Sequence, residues 1–106
     1  MVDVEEISLK AMEIITYAGL AKSNYLMALK DYKAGKKEEA YKKIEEGSLK
    51  FAKAHEVHIK ILSDEMEKLE SQVSLLLVHA EDQLMGAENI RLLVEELIEI
   101  YLEKEK

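Results

Sequence analysis

The chain has 106 residues, 48% of them apolar and 35% charged, with no Pro and no Cys. This length leads us to expect one domain spanning residues 1–106. Absent Cys excludes a disulfide scaffold, a thiolate zinc site and a cysteine nucleophile. Fifteen basic against twenty-two acidic residues give a net charge of −7, and there is no Trp and a single Phe. That balance argues against nucleic acid and against an anionic membrane surface, both of which are bound through Lys/Arg clusters that release counterions. The longest aliphatic run, Leu75-Leu76-Leu77-Val78, is far short of the roughly 20 residues a bilayer span needs. The opening Met1-Val2-Asp3-Val4-Glu5-Glu6 is acidic where a signal peptide would be basic, so a cytoplasmic location is expected.

Helix formers dominate, and the absence of Pro suits long uninterrupted helices. In the first segment Ile7, Ala11, Ile14, Ala18, Ala21, Tyr25, Ala28 and Tyr32 recur in alternating steps of four and three. This 3.5-residue period marks the seam of a helix packed against near-parallel neighbours. It stops at Lys33-Ala34-Gly35-Lys36-Lys37, where Gly35 is a natural helix stop and the lysines suit a C-terminal dipole. The second segment carries Ala40, Ile44, Gly47, Phe51, Ala54, His58 and Ile61. Its end is expected near Ser63-Asp64-Glu65, with the turn lying within 63–71, since Ser and Asp can cap a new helix. The third segment places Val73, Leu76, Ala80, Gln83, Ala87, Ile90, Val94, Leu97 and Tyr101 on its seam, with a fraying tail over 103–106. The methionines read as core filler. The pattern predicts an all-α, antiparallel, up-down-up bundle of three helices, each of roughly 27 to 34 residues. Residues 73–79 are apolar nearly all round the third helix, and a helix apolar on every side is buried on every side. Two neighbours cannot achieve that, so a homo-oligomer with the third helices at its centre is expected.

Of three histidines, His79 is the informative one. It directly follows the aliphatic run, at what the pattern predicts to be a costly depth for a polar group. Asp82 lies one turn on, at i+3, with Glu81 and Gln83 on either side of that direction. A carboxylate about 6 Å away, at an effective dielectric near 20, interacts with an imidazolium by roughly 2–3 kcal/mol, enough to orient a nucleophilic nitrogen. The alternative reading is a polar group at a helix interface satisfied by a neighbour. Gly86, seven residues past His79, sits in a helix interior where Gly costs about 1 kcal/mol against Ala, so something is expected to approach the backbone there. His55 and His58 stand at i and i+3; two ligands do not close a metal site, and structural roles are expected for both. The acids from Glu95 to Glu99 read as a solvated face.

The stretch Val73-Ser-Leu-Leu-Leu-Val-His79-Ala-Glu-Asp82-Gln-Leu-Met85 resembles the active-site helix of the lactose/cellobiose-specific enzyme IIA proteins of the bacterial phosphotransferase system, which reads V-S-L-x-L-V-H-A-Q-D-H-L-M. Ile14-Ile-Thr-Tyr-Ala-Gly-Leu-Ala-Lys-Ser23 is similar to the family's I-I-x-x-A-G-x-A-K/R-S, and Ala54-His55 with Ile61-Leu62 to its A-H-x-x-Q-T-x-L-I. The resemblance implies a three-helix bundle assembled as a homotrimer with the third helices around the three-fold axis. It implies that His79 is the phosphoryl acceptor, and that Asp82 from each subunit binds a divalent cation, Mg²⁺, on the axis. Glu81 and Gln83 would be neighbours of the catalytic site. The implied partners are HPr as donor, a cysteine of the cognate IIB protein as acceptor and, indirectly, the membrane IIC protein that admits the sugar.

Glu81 and Gln83 stand where the family has Gln and His, and the family's Gly-rich link before the third helix is replaced by Ser63-Asp-Glu-Met-Glu-Lys-Leu-Glu70. A carboxylate at 81 would weaken a phosphohistidine of about two negative charges unless it turns away or meets a cation. These departures keep a second class of function open, a helical-bundle adaptor that has lost phosphotransfer, and a third, a metal-binding trimer.

Overall fold

The computed structural model describes residues 3–71 and 73–105, so Met1, Val2, Gln72 and Lys106, with the reading of the acidic opening at its first two positions, lie outside the described residues. Three long helices follow in order: α1 (Val4–Lys33), α2 (Lys37–Lys68) and α3 (Leu75–Lys104). No strand occurs among the described residues, and none of the helices is long and apolar enough to cross a membrane. The bundle measures 58 × 19 × 18 Å.

α1 begins at Asp3, whose carboxylate accepts from the Glu6 amide at 3.2 Å. Its predicted seam is its observed one: Ile7, Ala11, Ile14, Ala18, Ala21, Tyr25, Ala28 and Tyr32 are all buried. Six of those eight side chains are Ala or the β-branched Ile of a narrow seam, which lets α1 pack closely along both other helices, whereas α2 and α3 barely touch each other. Gly35 makes the first turn at φ +85°, its amide donating to the Tyr32 carbonyl at 3.0 Å.

The second turn begins within the expected 63–71 stretch, but later than Ser63-Asp64-Glu65. α2 runs through Ser63-Asp64-Glu65 to Lys68 and ends with Leu69 in the left-handed region at φ 55°. Ser63 and Asp64 therefore cap nothing; Lys10 of α1 pairs with Asp64, which favours continued helix there. The helix start belongs instead to Ser74, whose hydroxyl accepts from the Leu77 amide at 3.1 Å. Ser74→Ala should lower stability by about 1 kcal/mol, the usual cost of losing such a cap. For a domain of this size that is a fall in melting temperature of roughly 4–8 °C, readable by circular dichroism.

The core has two halves joined at Phe51. One gathers Ile7, Ala11, Ile14, Ala54, Ile61, Leu77, Ala80 and Leu84; the other runs from Ala18 and Tyr25 to Val94 and Ile98. On α3 the buried line is Leu77, Ala80, Leu84, Ala87, Val94 and Ile98. Of the predicted α3 seam, Ala80, Ala87 and Val94 are buried and Leu76, Gln83 and Ile90 half-buried, but Val73, Leu97 and Tyr101 are exposed. The aliphatic run hid the phase of the helix, because nearly every position in it could have faced inward. The methionines are likewise not core filler: Met12, Met27, Met66 and Met85 are all exposed. The expected frayed tail is helical to Lys104, and Glu105 pairs with Lys37 at the start of α2.

Candidate functional site

His79 lies in the second turn of α3, on its outer surface. It is exposed, as is Asp82, which corrects the expectation that the histidine sits at a buried depth. The four preceding aliphatic residues do not surround it, since only Leu77 of Leu75 to Val78 is buried within the chain. Among the described residues His79 and Asp82 make no hydrogen bond or ion pair, with each other or elsewhere, so the carboxylate does not clamp the ring here.

The two replaced positions go to opposite flanks. Glu81 is two residues from His79, and side chains at i and i+2 do not face each other. Its carboxylate turns toward α2, 2.6 Å from His58 Nδ1. That contact closes one end of a cleft of about 270 Å³ lined by Ile61, Leu62, Val73, Leu77 and Val78. His58 is held in turn by a ladder of rings on α2: Phe51 stacks on His55 with centroids 6.2 Å apart, and His55 lies 5.9 Å from His58. The expectation of structural roles for His55 and His58 has a specific form here, a tie between α2 and α3. The charge expected to trouble a phosphate beside His79 is thus directed to the far side of α3.

Gln83, at i+4, shares the His79 flank. Its Oε1 accepts from Lys22 Nζ of α1 at 2.7 Å. The approach anticipated at Gly86 is this same lysine: a Cβ built on Gly86 would stand 3.4 Å from both Cε and Nζ of Lys22. Sequence spacing could not supply Lys22, because its partner is 61 residues away. The hint was indirect, a helical Gly with no turn to justify it.

Asp82 points away from the core, on a line with exposed Leu75, Val78, Met85, Leu92 and Leu93. Among the described residues no group of three His, Asp or Glu side chains could hold a metal within one chain. A single carboxylate per chain fits a hard cation only if several copies meet.

The chain is thus an all-helical three-helix bundle that presents an exposed histidine early in its third helix, with a lysine-held amide on the same flank. The family model for "PTS system, Lactose/Cellobiose specific IIA subunit" matches residues 9–102, and the chain belongs to that family. It is 32% identical over 97 residues to the lichenan-specific phosphotransferase enzyme IIA component of Bacillus subtilis, covering 92% of this chain and 88% of that protein. It is 34% identical over 97 residues to the lactose-specific EIIA component of the PTS of Staphylococcus aureus, covering 92% and 94%. The cellobiose-specific enzyme IIA of Bacillus anthracis superposes with a TM-score of 0.87 at 30% identity, over 99% of this chain and 94% of that one. IIA(Chitobiose) of Escherichia coli, solved in complex with HPr, superposes at 0.82 and 30% identity over the whole of both chains. The chain is accordingly a phosphotransferase component, a phosphoryl carrier in sugar phosphotransfer.

Proposed function

We propose that His79 is the carrier nucleophile. It accepts a phosphoryl group from the phosphohistidine of HPr and hands it to a cysteine of the cognate IIB protein, for sugar admitted by the membrane IIC protein. The exposure of His79 on a convex helix surface carries this reading. A group that must meet two different protein donors and acceptors in turn cannot be buried, and reversible transfer needs an open site. The solved pairing of the Escherichia coli relative with HPr supports the same partner here. An exchange with HPr and a IIB protein fits a cytoplasmic location.

The exposed apolar line on α3 supports a homotrimer with the third helices together at the axis. There three copies of Asp82 supply oxygen ligands for a divalent cation such as Mg²⁺. The cation, when bound, neutralises three converging carboxylates and holds the assembly; the phosphoryl transfer itself is left to the side chains around His79. Glu81 and Gln83 border the site through His58 and Lys22 and do not take the phosphoryl group themselves.

Incubation with phosphoenolpyruvate, enzyme I and HPr, read by intact mass, tests the proposal. The wild type should gain one acid-labile phosphoryl group and His79→Ala none. A folded wild type that gains nothing would move the assignment to an adaptor bundle.

A further inference from the structure

We infer that Lys22 is a phosphoryl-binding residue of this site, the cation that receives the charge arriving on His79; the inference rests on the carrier reading above. α3 contains no Lys or Arg from Leu75 to Ile90, while Glu81 and Asp82 follow His79 closely. A phosphohistidine of about two negative charges therefore finds no countercharge on the surrounding turns of its own helix, the nearest, Arg91, being paired with Glu95, and Asp82, at i+3 on an adjoining line, repels it. The countercharge has to come from another element, and α1 offers Lys22.

Its placement suits the task. Long side chains on a helix project back toward the helix N-terminus, over the preceding turn. Gln83 thus reaches toward the turn that carries His79. α1 and α3 run in the same direction in an up-down-up bundle, so Lys22 projects toward the same end. The two side chains meet at 2.7 Å. In the unphosphorylated protein the ammonium is held by a neutral amide rather than by an acid: its described partner is Gln83, whereas Lys10, Lys37 and Lys43 are each paired with a carboxylate. A lysine already engaged with a carboxylate would have to break an ion pair to serve a phosphate; Lys22 gives up, or shares, one neutral hydrogen bond. The end of the lysine stem lies against Gly86, where a Cβ would stand in contact with Cε and Nζ at 3.4 Å. One turn before Lys22, Gly19 is exposed and a Cβ on it would meet nothing within 4 Å, so the flank beside the lysine is open to an incoming protein.

In the transfer step a ring nitrogen of His79 attacks phosphorus. The new N–P bond forms as the N–P bond to the donor histidine breaks, and the electron pair of that bond returns to the departing imidazole. Lys22 exchanges no proton. It donates a charge-assisted hydrogen bond to a phosphoryl oxygen once the group has crossed, with Gln83 keeping the lysine stem in register.

The test is the equilibrium of phosphoryl groups between HPr and this protein, read by intact mass in mixtures of known ratio. Lys22→Met keeps the stem beside Gly86 and removes the charge. It should shift the equilibrium toward phospho-HPr by about tenfold or more, the scale of one hydrogen bond to a charged group. The melting temperature of the unphosphorylated protein should stay near wild type, and Lys22→Arg should recover most of the shift. The phosphorus resonance of the phosphohistidine should move in Lys22→Met and return in Lys22→Arg. A Lys22→Met protein that shares phosphoryl groups within twofold of wild type overturns the assignment while leaving the carrier reading intact. A wild type that accepts no phosphoryl group at all overturns both.

Discussion

Tyr25→Ala should be the most destabilising single substitution in the bundle, at about 3–5 kcal/mol, the range for truncating a large buried aromatic to Ala. Tyr25 is fully buried at the level where α1 meets α2, with its hydroxyl 3.3 Å from Ser48 Oγ. Its ring lies directly on Gly47. A Cβ built there would stand 2.8 Å from Tyr25 Cε1, closer than real Cβ contacts come, and a tight 3.0 Å from Asn24 Cβ. Gly47→Ala in the wild type should therefore cost about 1–3 kcal/mol through overpacking, despite the better helix propensity of Ala. In the Tyr25→Ala background the same change meets no ring. There only the Asn24 Cβ contact at 3.0 Å remains, so the cost should fall clearly below its wild-type value. Urea unfolding of the four proteins of this cycle measures the coupling. Additive effects would mean that Gly47 is not there for the ring.

That pair illustrates how far the residues alone reach. Period 3.5 placed both Tyr25 and Gly47 on inward seams, and the fold class followed from the three seams with Gly35 between the first two. What the period does not contain is which side chain of one seam meets which of another. The ring on Gly47, Lys22 on Gln83 and His58 on Glu81 all join residues far apart in the chain. The end of α2 falls later than Ser63-Asp64-Glu65 because Ser63-Asp64 has the chemistry of a cap, while the competing signal, α1 packing along α2 to its end, is tertiary. Spacing and the family motif single out His79 and Asp82, and the structure sets both on the exposed face of α3. The depth assigned to His79 was wrong for a definite reason. A run of four aliphatic residues carries no phase, so the line facing α1 (Leu77, Ala80, Leu84) could not be told from the line facing outward (Leu75, Val78).

That outward line governs the second large effect. Leu75, Val78, Asp82 and Met85 continue through Asn89 to Leu92, in steps of three and four, and all are exposed. This is the 3.5-residue repeat of a helix seam with no partner in the chain, and Leu75 is 87% exposed. A largely apolar stripe of this length is where the proposed trimer would associate. Leu92→Asp places a carboxylate in that stripe, well away from His79, on a side chain 54% exposed in the lone chain. The helix itself should tolerate it, with secondary structure unchanged by circular dichroism. Association should not: desolvating an unpaired charge costs several kcal/mol, and three copies would bring three such charges together. Light scattering behind size exclusion should show the wild type at three times the chain mass and Leu92→Asp at one. Chelation should weaken the wild-type assembly, because the three Asp82 carboxylates would then repel across the axis, and Asp82→Asn should make it indifferent to chelator. A Leu92→Asp protein still at three times the chain mass would place the contact elsewhere. The exposed apolar side chains Leu9, Leu20, Leu26 and Met27 of α1 would then be the next surface to charge.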